Sequence, residues 1–175
     1  HLKRFEKILK GRLKTYNENY PWFSLHRPRS IEIFLDKKIV LPYRSKLNTF
    51  SYNEQEWFFR TDSYSITKKT DDISLKTLLA VLNSKLYYLW LFNKGKKKGN
   101  ILELFGTPLS ELPLKIFENN YVKELEKLID IIINDNLKEN KELINQIDNI
   151  IYKIFKLNQN EIDFVENFYI KKEIN

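Results

Sequence analysis

The feature that most constrains the fold is an apolar helical pattern in the middle of the chain that ends abruptly in lysines. Leucines recur at helical spacing from Leu75 to Leu89, and Trp90 continues the stripe. The stripe is broad enough to predict a helix buried among other elements, and Gly95 marks its end. Four lysines and two glycines crowd residues 94–99. A packed helix that leads into a positive loop is suited to hold a polyanion.

The net charge of +7 is unevenly distributed along the chain. Residues 1–100 carry 21 lysines and arginines against nine acids, whereas residues 101–175 carry nine against 14. A solvated lysine-rich surface is the alternative explanation for so many cations. The asymmetry nevertheless favours a polyanion partner for the first part of the chain.

Short periodic runs predict a small β unit before the central helix. Residues 30–35 alternate in hydrophobicity, and Asp36–Lys38 can turn the chain back into Ile39–Leu41, which predicts a hairpin. Pro42 is expected to end that strand at an edge or exit. Further strands are predicted at residues 50–52, 57–60 and 64–67.

Helical patterns lie on both sides of this β unit. Residues 3–16 form a basic amphipathic pattern, and Ser74 is expected to cap the central helix. Residues 101–117 are predicted to form short irregular or strand-like pieces. Three helices are predicted after them, and Asn158 with Glu161 forms a capping-box pattern that opens the last one.

The predicted fold class is therefore α+β. A small mixed or antiparallel β unit packs on a central buried helix, and a C-terminal helical tail follows. We predict three parts: an N-terminal amphipathic helix that connects to an upstream domain (1–19), a recognition domain (20–117) and a C-terminal helical region (118–175).

Composition excludes several classes of protein. The chain has no cysteine, so it can form neither a disulfide framework nor a thiolate metal site. No apolar run approaches the roughly 20 residues needed to cross a bilayer, and no signal peptide pattern is present. We therefore expect a cytoplasmic prokaryotic protein without a membrane partner. Because methionine is absent even at position 1, we expect a piece of a longer protein.

Patterns typical of catalysis are scarce. The two histidines, His1 and His26, are too few for a multi-histidine metal site, and no P-loop, G-x-G-x-x-G or G-x-S-x-G motif occurs. Asp62, Asp71 and Asp72 could form the carboxylate cluster of a metal-dependent nuclease. The pair at 71–72 is better explained as the start of a helix. We expect neither catalytic nor metal-binding residues in this chain.

Residues suited to nucleic-acid binding are plentiful between positions 26 and 98. The planar guanidinium of arginine can bind a guanine edge bidentately, whereas lysine acts as a point charge that suits phosphate. Aromatic residues at strand and helix spacing are assigned to the core and not to the site. The candidates for base readout are His26, Arg27, Arg29, Arg44 and Arg60. The candidates for backbone contact are Lys46, Lys68, Lys69, Lys94, Lys96, Lys97 and Lys98.

Five short motifs occur in a characteristic order. They are Phe23–Arg29, Ile39–Pro42, Asp62–Ile66, Leu79–Lys85 and Leu112–Leu114, and residues 146–162 follow as a helical tail. In this order they resemble the TaqI-like C-terminal specificity domain. The resemblance covers about residues 20–170.

This resemblance implies the target-recognition domain of a restriction–modification adenine-N6 DNA methyltransferase. Its partners would be double-stranded DNA and an upstream methyltransferase domain, which would bind S-adenosylmethionine and act on a flipped adenine. The Asn-Pro-Pro-Tyr motif of such enzymes is absent here, so the resemblance implies DNA recognition by this chain and not catalysis. Within this motif set, Asn83, Ser84 and Lys85 are predicted to lie inside a helix, where they cap it or brace the β unit.

Two alternatives remain at this point. The C-terminal helices could form a protein-interaction module that docks onto a partner. A similar Leu-Asn-Ser-Lys motif also occurs in specificity subunits of multisubunit restriction systems, so the chain could be a fragment of one.

Overall fold

The computed structural model describes residues 1–13, 21–24, 29–60, 62–70, 72–115, 117–134 and 140–174. The chain forms two compact units, His1–Glu32 and Ile33–Asn175. The first unit contains a 3-10 helix, Leu2–Phe5, and helix α1, Glu6–Leu13. The predicted N-terminal helix is thus confirmed as far as Leu13, and its remainder lies outside the described residues.

The first sheet of the second unit is antiparallel and has the order β3-β1-β4. Its strands are β1 (Lys38–Pro42), β3 (Ser51–Asn53) and β4 (Ser63–Thr67). The central strand β1 places Ile39 opposite Tyr52 on one side and Ile66 on the other. The predicted strands at 50–52 and 64–67 are confirmed, with bounds shifted by one residue.

The predicted strand at 30–35 is wrong, because Glu32–Leu35 forms a short helix, α2. The fully buried Lys38 explains the difference. Its ammonium group donates hydrogen bonds to the carbonyl oxygens of Phe34 (2.9 Å), Asp36 (2.7 Å) and Gln55 (2.8 Å). A buried ammonium must be satisfied in this way, and a helical turn gathers carbonyls that an extended strand would spread apart.

Residues 57–60 also differ from the prediction, because they form no strand. The backbone N–H of Trp57 donates to the carbonyl oxygen of Phe34 (3.1 Å), which ties this segment to α2 and not to a sheet. Phe58 stacks on Phe34 with ring centroids 4.9 Å apart. Local β propensity is therefore overridden by packing on the α2 turn.

The central helix is two helices, α3 (Leu75–Asn83) and α4 (Lys85–Lys94). Ser84 separates them with extended backbone angles, so the prediction of one continuous helix is corrected. Its hydroxyl accepts from the N–H of Tyr87 (3.3 Å) and donates to the carbonyl of Val81 (2.8 Å). The side-chain amide of Asn48 donates to the carbonyls of Leu82 (2.7 Å) and Ser84 (2.9 Å). These contacts satisfy backbone groups that a helix break leaves open.

At the start of α3, Ser74 accepts from the N–H of Thr77 (3.1 Å), which confirms the predicted cap.

The predicted lysine loop is a β-hairpin in a second sheet. Strands β2 (Arg44–Ser45), β5 (Lys96–Lys98) and β6 (Ile101–Glu103) pair antiparallel in the order β2-β6-β5. Gly99 lies between β5 and β6 with φ +63, a conformation that glycine adopts without strain. A short helix, α5 (Gly106–Ser110), follows.

Three C-terminal helices complete the fold, as predicted: α6 (Asn119–Asn134), α7 (Lys141–Phe155) and α8 (Gln159–Ile174). The capping box is present, because Asn158 accepts from the N–H of Glu161 (3.1 Å) and Glu161 accepts from that of Asn158 (2.8 Å).

The hydrophobic core joins the first sheet, α3 and α4 to these helices. The α+β fold is confirmed, and the predicted central buried helix is present as the pair α3 and α4. The predicted boundaries at 19/20 and 117/118 stay predictions. Within the described ranges, every helix falls short of the length and apolarity that a bilayer crossing needs.

Candidate nucleic-acid interface

Three charged residues meet across the second sheet. The middle strand β6 places Glu103 opposite Arg44 on β2 and opposite Lys96 on β5. One carboxylate oxygen, Oε1, accepts from Arg44 Nε (3.0 Å) and Nη2 (2.7 Å). The other oxygen, Oε2, lies 3.5 Å from Lys96 Nζ. A buried carboxylate thus anchors two cations whose side chains remain 44% and 63% exposed.

This triad is electrostatically matched. The hydrogen bond to Glu103 raises the pKa of Arg44, and the hydrogen bond from Arg44 lowers the pKa of Glu103. Both groups are therefore charged at neutral pH. Arg44 also lies over the ring of Tyr43 (4.8 Å), and Lys96 lies near the ring of Phe105 (5.2 Å). The rings of Tyr43 and Phe105 are 5.2 Å apart, so both cations rest on one aromatic pair.

A second group of cations surrounds Phe92 at the end of α4. Lys97 Nζ lies 3.9 Å from the centre of its ring, and Lys172 Nζ from α8 lies 4.3 Å from it. Lys94 and Lys98 are exposed on α4 and β5. The structure therefore places four predicted lysines at the end of α4 (Lys94) and on β5 (residues 96–98), together with Lys172, which sequence reasoning missed.

Arg60 and Lys46 lie near the same hairpin. The N–H of Ser63 donates to the carbonyl of Arg60 (3.2 Å), and the N–H of Tyr43 donates to that of Asp62 (2.8 Å). The turn that holds Arg60 therefore runs beside Tyr43, the neighbour of Arg44. Lys46 follows β2 directly and is exposed.

Lys68 and Lys69 lie elsewhere. They follow Thr67, which pairs with Lys38 at the start of β1, whereas Arg44 follows the opposite end of that strand. The five residues of β1 separate its ends by about 14 Å. The predicted backbone contacts thus fall into two groups at opposite ends of the first sheet.

The other arginine candidates belong to the first part of the chain. His26 and Arg27 lie outside the described residues. Arg29 is half-buried and belongs to the first compact unit, Arg44 and Arg60 to the second.

The Leu-Asn-Ser-Lys motif braces the fold, as predicted, although Ser84 interrupts the helix. Asn83 bonds the backbone of Phe50 twice, accepting from its N–H (3.0 Å) and donating to its carbonyl (2.9 Å). Lys85 Nζ donates to Glu166 Oε2 (2.8 Å) and lies 3.4 Å from Asp148 Oδ2. These contacts join Phe50, the residue before β3, as well as α7 and α8 to the break between α3 and α4, so the motif is structural.

The carboxylate cluster that a nuclease would need is not found in the described ranges, where no group of three metal-ligating residues lies together. Asp71 lies outside those ranges. Asp62 is exposed, and its backbone carbonyl bonds Tyr43.

Sequence reasoning missed two further features. Glu103 is separated from Arg44 by 59 positions, so no local pattern signals the ion pair. Trp57 and Phe58, which were assigned to the core, are 56% and 62% exposed. Because residues 57–60 have the composition of a strand, the local pattern gave no signal of this exposure.

Comparison with known proteins identifies the domain. The profile of the TaqI-like C-terminal specificity domain matches residues 4–114. Two curated relatives are the type II methyltransferases M.HincII and M.HindII of Haemophilus influenzae, each 29% identical to this chain over 128 residues. The matches cover 69% of this chain but only 25% and 24% of the two relatives, so the chain spans about a quarter of their length. Because the family profile covers well over half of the sequence, this chain belongs to the family of TaqI-like C-terminal specificity domains.

Proposed function

We propose that this chain is the double-stranded DNA recognition module of a type II or IIG-like restriction–modification methyltransferase. It selects the target sequence and positions an adenine for N6 methylation by a catalytic domain outside this chain. The observation that carries the proposal is the match of residues 4–114 to a specificity domain. The names of the two relatives, both type II methyltransferases, agree with it.

The distribution of charge supports a DNA partner. Arg44 and Lys96 flank one buried carboxylate, and Lys97 and Lys98 follow Lys96 on the same exposed strand. Phosphates of the DNA backbone attract such a group and release counterions when they bind it. Arg44 and Arg60 lie at the same end of the first sheet, where they can reach base edges while the lysines hold the backbone. The roles of His26, Arg27 and Arg29 in base readout remain part of the proposal.

The first test measures binding of the full chain to duplex DNA by fluorescence anisotropy at several salt concentrations. We expect affinity to fall steeply with salt, and one short site to outcompete random duplex by about a thousandfold or more. Equal affinity for every duplex would refute sequence-specific recognition.

A second test separates phosphate contacts from general charge. Lys98→Gln should weaken binding to all duplexes alike and reduce the salt slope by about one. Lys172→Gln should act in the same direction, since Lys172 lies beside Lys97 at Phe92. The matched control is Lys123→Gln, which removes one exposed lysine from α6. If all three variants behave alike, the lysine hairpin is not the contact surface.

Catalysis is assigned to the rest of the parent protein. S-adenosylmethionine would supply the methyl group there, and any endonuclease activity of the parent would also lie outside this chain. Incubation of the chain with plasmid DNA and Mg²⁺ checks this assignment, and we expect no nicking.

A second candidate role is docking of the C-terminal helices on another domain or subunit. Exposed apolar side chains at Ile144, Phe164 and Ile170 favour it. Polar substitutions there should leave duplex binding by the isolated chain unchanged if docking is their role.

A further inference from the structure

We propose that Glu103 is a positioning residue that commits Arg44 to reading a guanine edge and withholds it from phosphate. This inference rests on the proposed DNA-recognition function. It concerns the arrangement of one carboxylate and one guanidinium across β2 and β6.

The geometry leaves one edge of the guanidinium free of Glu103, and Tyr43 interacts with the same guanidinium. Glu103 Oε1 accepts from Nε and Nη2, which together form the side edge of the group. The end edge, formed by Nη1 and the second hydrogen of Nη2, points away from this carboxylate because the group is planar. Two parallel N–H donors at that edge match the O6 and N7 acceptors of guanine in the major groove.

Burial makes this orientation persistent. Glu103 is covered by its two cations, so a phosphate that drew Arg44 away would break both charge-assisted hydrogen bonds to Oε1. The ring of Tyr43 supports the guanidinium from one face (4.8 Å). Lys96 lies 3.5 Å from the other carboxylate oxygen, which is a weaker contact than the one with Arg44. A phosphate can therefore bind Lys96 at a smaller cost to Glu103. Glu103 thereby keeps Arg44 for a guanine edge and leaves Lys96 for a phosphate.

The test uses Glu103→Gln, a variant of the same shape without the charge. Selection from a randomised duplex pool measures sequence preference, and affinity for the unselected pool measures general attraction. We expect the preference for guanine at one position to fall about tenfold, while affinity for the unselected pool rises about two- to fivefold. The charge-matched control is Glu111→Gln, which removes an exposed glutamate and should leave the preference unchanged.

A second variant guards against loss of structure. Arg44→Lys keeps the charge but lacks the planar fork, so it should lose the guanine preference and keep its affinity for the unselected pool. In the selected site, 7-deazaguanine removes the N7 acceptor. This substitution should weaken binding by the unmodified chain about tenfold and binding by Arg44→Lys much less.

The outcomes separate the two claims. If the unmodified chain enriches no sequence, the proposed function fails, and this inference fails with it. If the chain enriches a site whose preference survives either Glu103→Gln or Arg44→Lys, only the inference is overturned. The inference is also overturned if preference and affinity fall together in Glu103→Gln, because a merely structural role would reduce both.

Discussion

At the scale of single residues, Lys85 lies where α4, α7 and α8 meet. Burial acts to lower its pKa, but the hydrogen bond to Glu166 and the charge of Asp148 outweigh this and raise it. Tyr152 donates a further hydrogen bond to Glu166 (2.8 Å). Asp148 also accepts from the backbone N–H of Lys85 (2.9 Å). The lysine of the Leu-Asn-Ser-Lys motif is therefore charged and fully engaged within the fold.

Asp148 should make stability depend on pH. Its burial raises its pKa to about 6, despite the opposing effect of Lys85, so the folded state binds this proton more tightly than the unfolded state does. Its contribution to the free energy of unfolding is therefore greatest near pH 4 and declines as pH rises to about 6. Between pH 4 and 7 the unmodified chain should lose roughly 2 kcal/mol relative to Asp148→Asn, as measured by urea unfolding.

The control for this prediction is Asp163→Asn, which changes an exposed carboxylate on α8. The free energy of unfolding of this variant should change with pH as that of the unmodified chain does. Parallel profiles for all three proteins would contradict the assigned role of Asp148.

At the scale of elements, the junction between α4 and β5 depends on a close backbone approach. Gly95 follows α4, and its N–H donates to the carbonyl of Leu91 (3.0 Å). A Cβ atom at Gly95 would lie 2.5 Å from that carbonyl oxygen, so the chain can leave the helix in this direction only without a side chain. This glycine directs the lysine-rich strand back beside β6.

Gly95→Ala should therefore strain the junction and lower the free energy of unfolding by about 1–3 kcal/mol. Thermal denaturation followed by circular dichroism measures the effect. Gly106→Ala is the matched control, because nothing lies within 4 Å of a Cβ built there. Equal stability of the two variants would show that the junction accommodates a side chain.

At the scale of the whole molecule, the C-terminal helices belong to the same core as the central helices. Leu125 and Ile129 of α6 join Leu79 of α3 in this core, together with Ile147 and Ile151 of α7. Lys76 on α3 also pairs with Asp130 on α6. Because these residues are buried against α3, the C-terminal helices contribute to the stability of the fold.

A fragment that ends at residue 117 should consequently lose cooperative unfolding, because it exposes the buried face of α3 and α4. Residues 29–175, which keep α2 whole and contain the second compact unit, should retain it. Near-ultraviolet circular dichroism during heating distinguishes the two fragments. A cooperative transition in the shorter one would show that the C-terminal helices are dispensable for folding.

Much of the fold and part of the site were predictable from local pattern. The caps at Ser74 and Asn158, the strands near 51 and 64 and the three C-terminal helices follow from short-range chemistry, and all are present. The strand prediction at 30–35 failed because the buried ammonium of Lys38 requires nearby carbonyls. The break at Ser84 escaped notice because Asn48, distant in sequence, satisfies the freed carbonyls.

Sequence alone was sufficient for the α+β class, the buried helical stretch from Leu75 to Lys94 and the family, because these depend on periodicity and on the order of motifs. The partners of the charged residues depended on tertiary structure, because strand pairing joins positions far apart in the chain. Such pairing placed Glu103 between Arg44 and Lys96, gathered the lysines of the hairpin with Lys172, and left Lys68 and Lys69 at the other end of the first sheet. A local pattern shows which cations the chain has, but only the packed chain shows which of them act together.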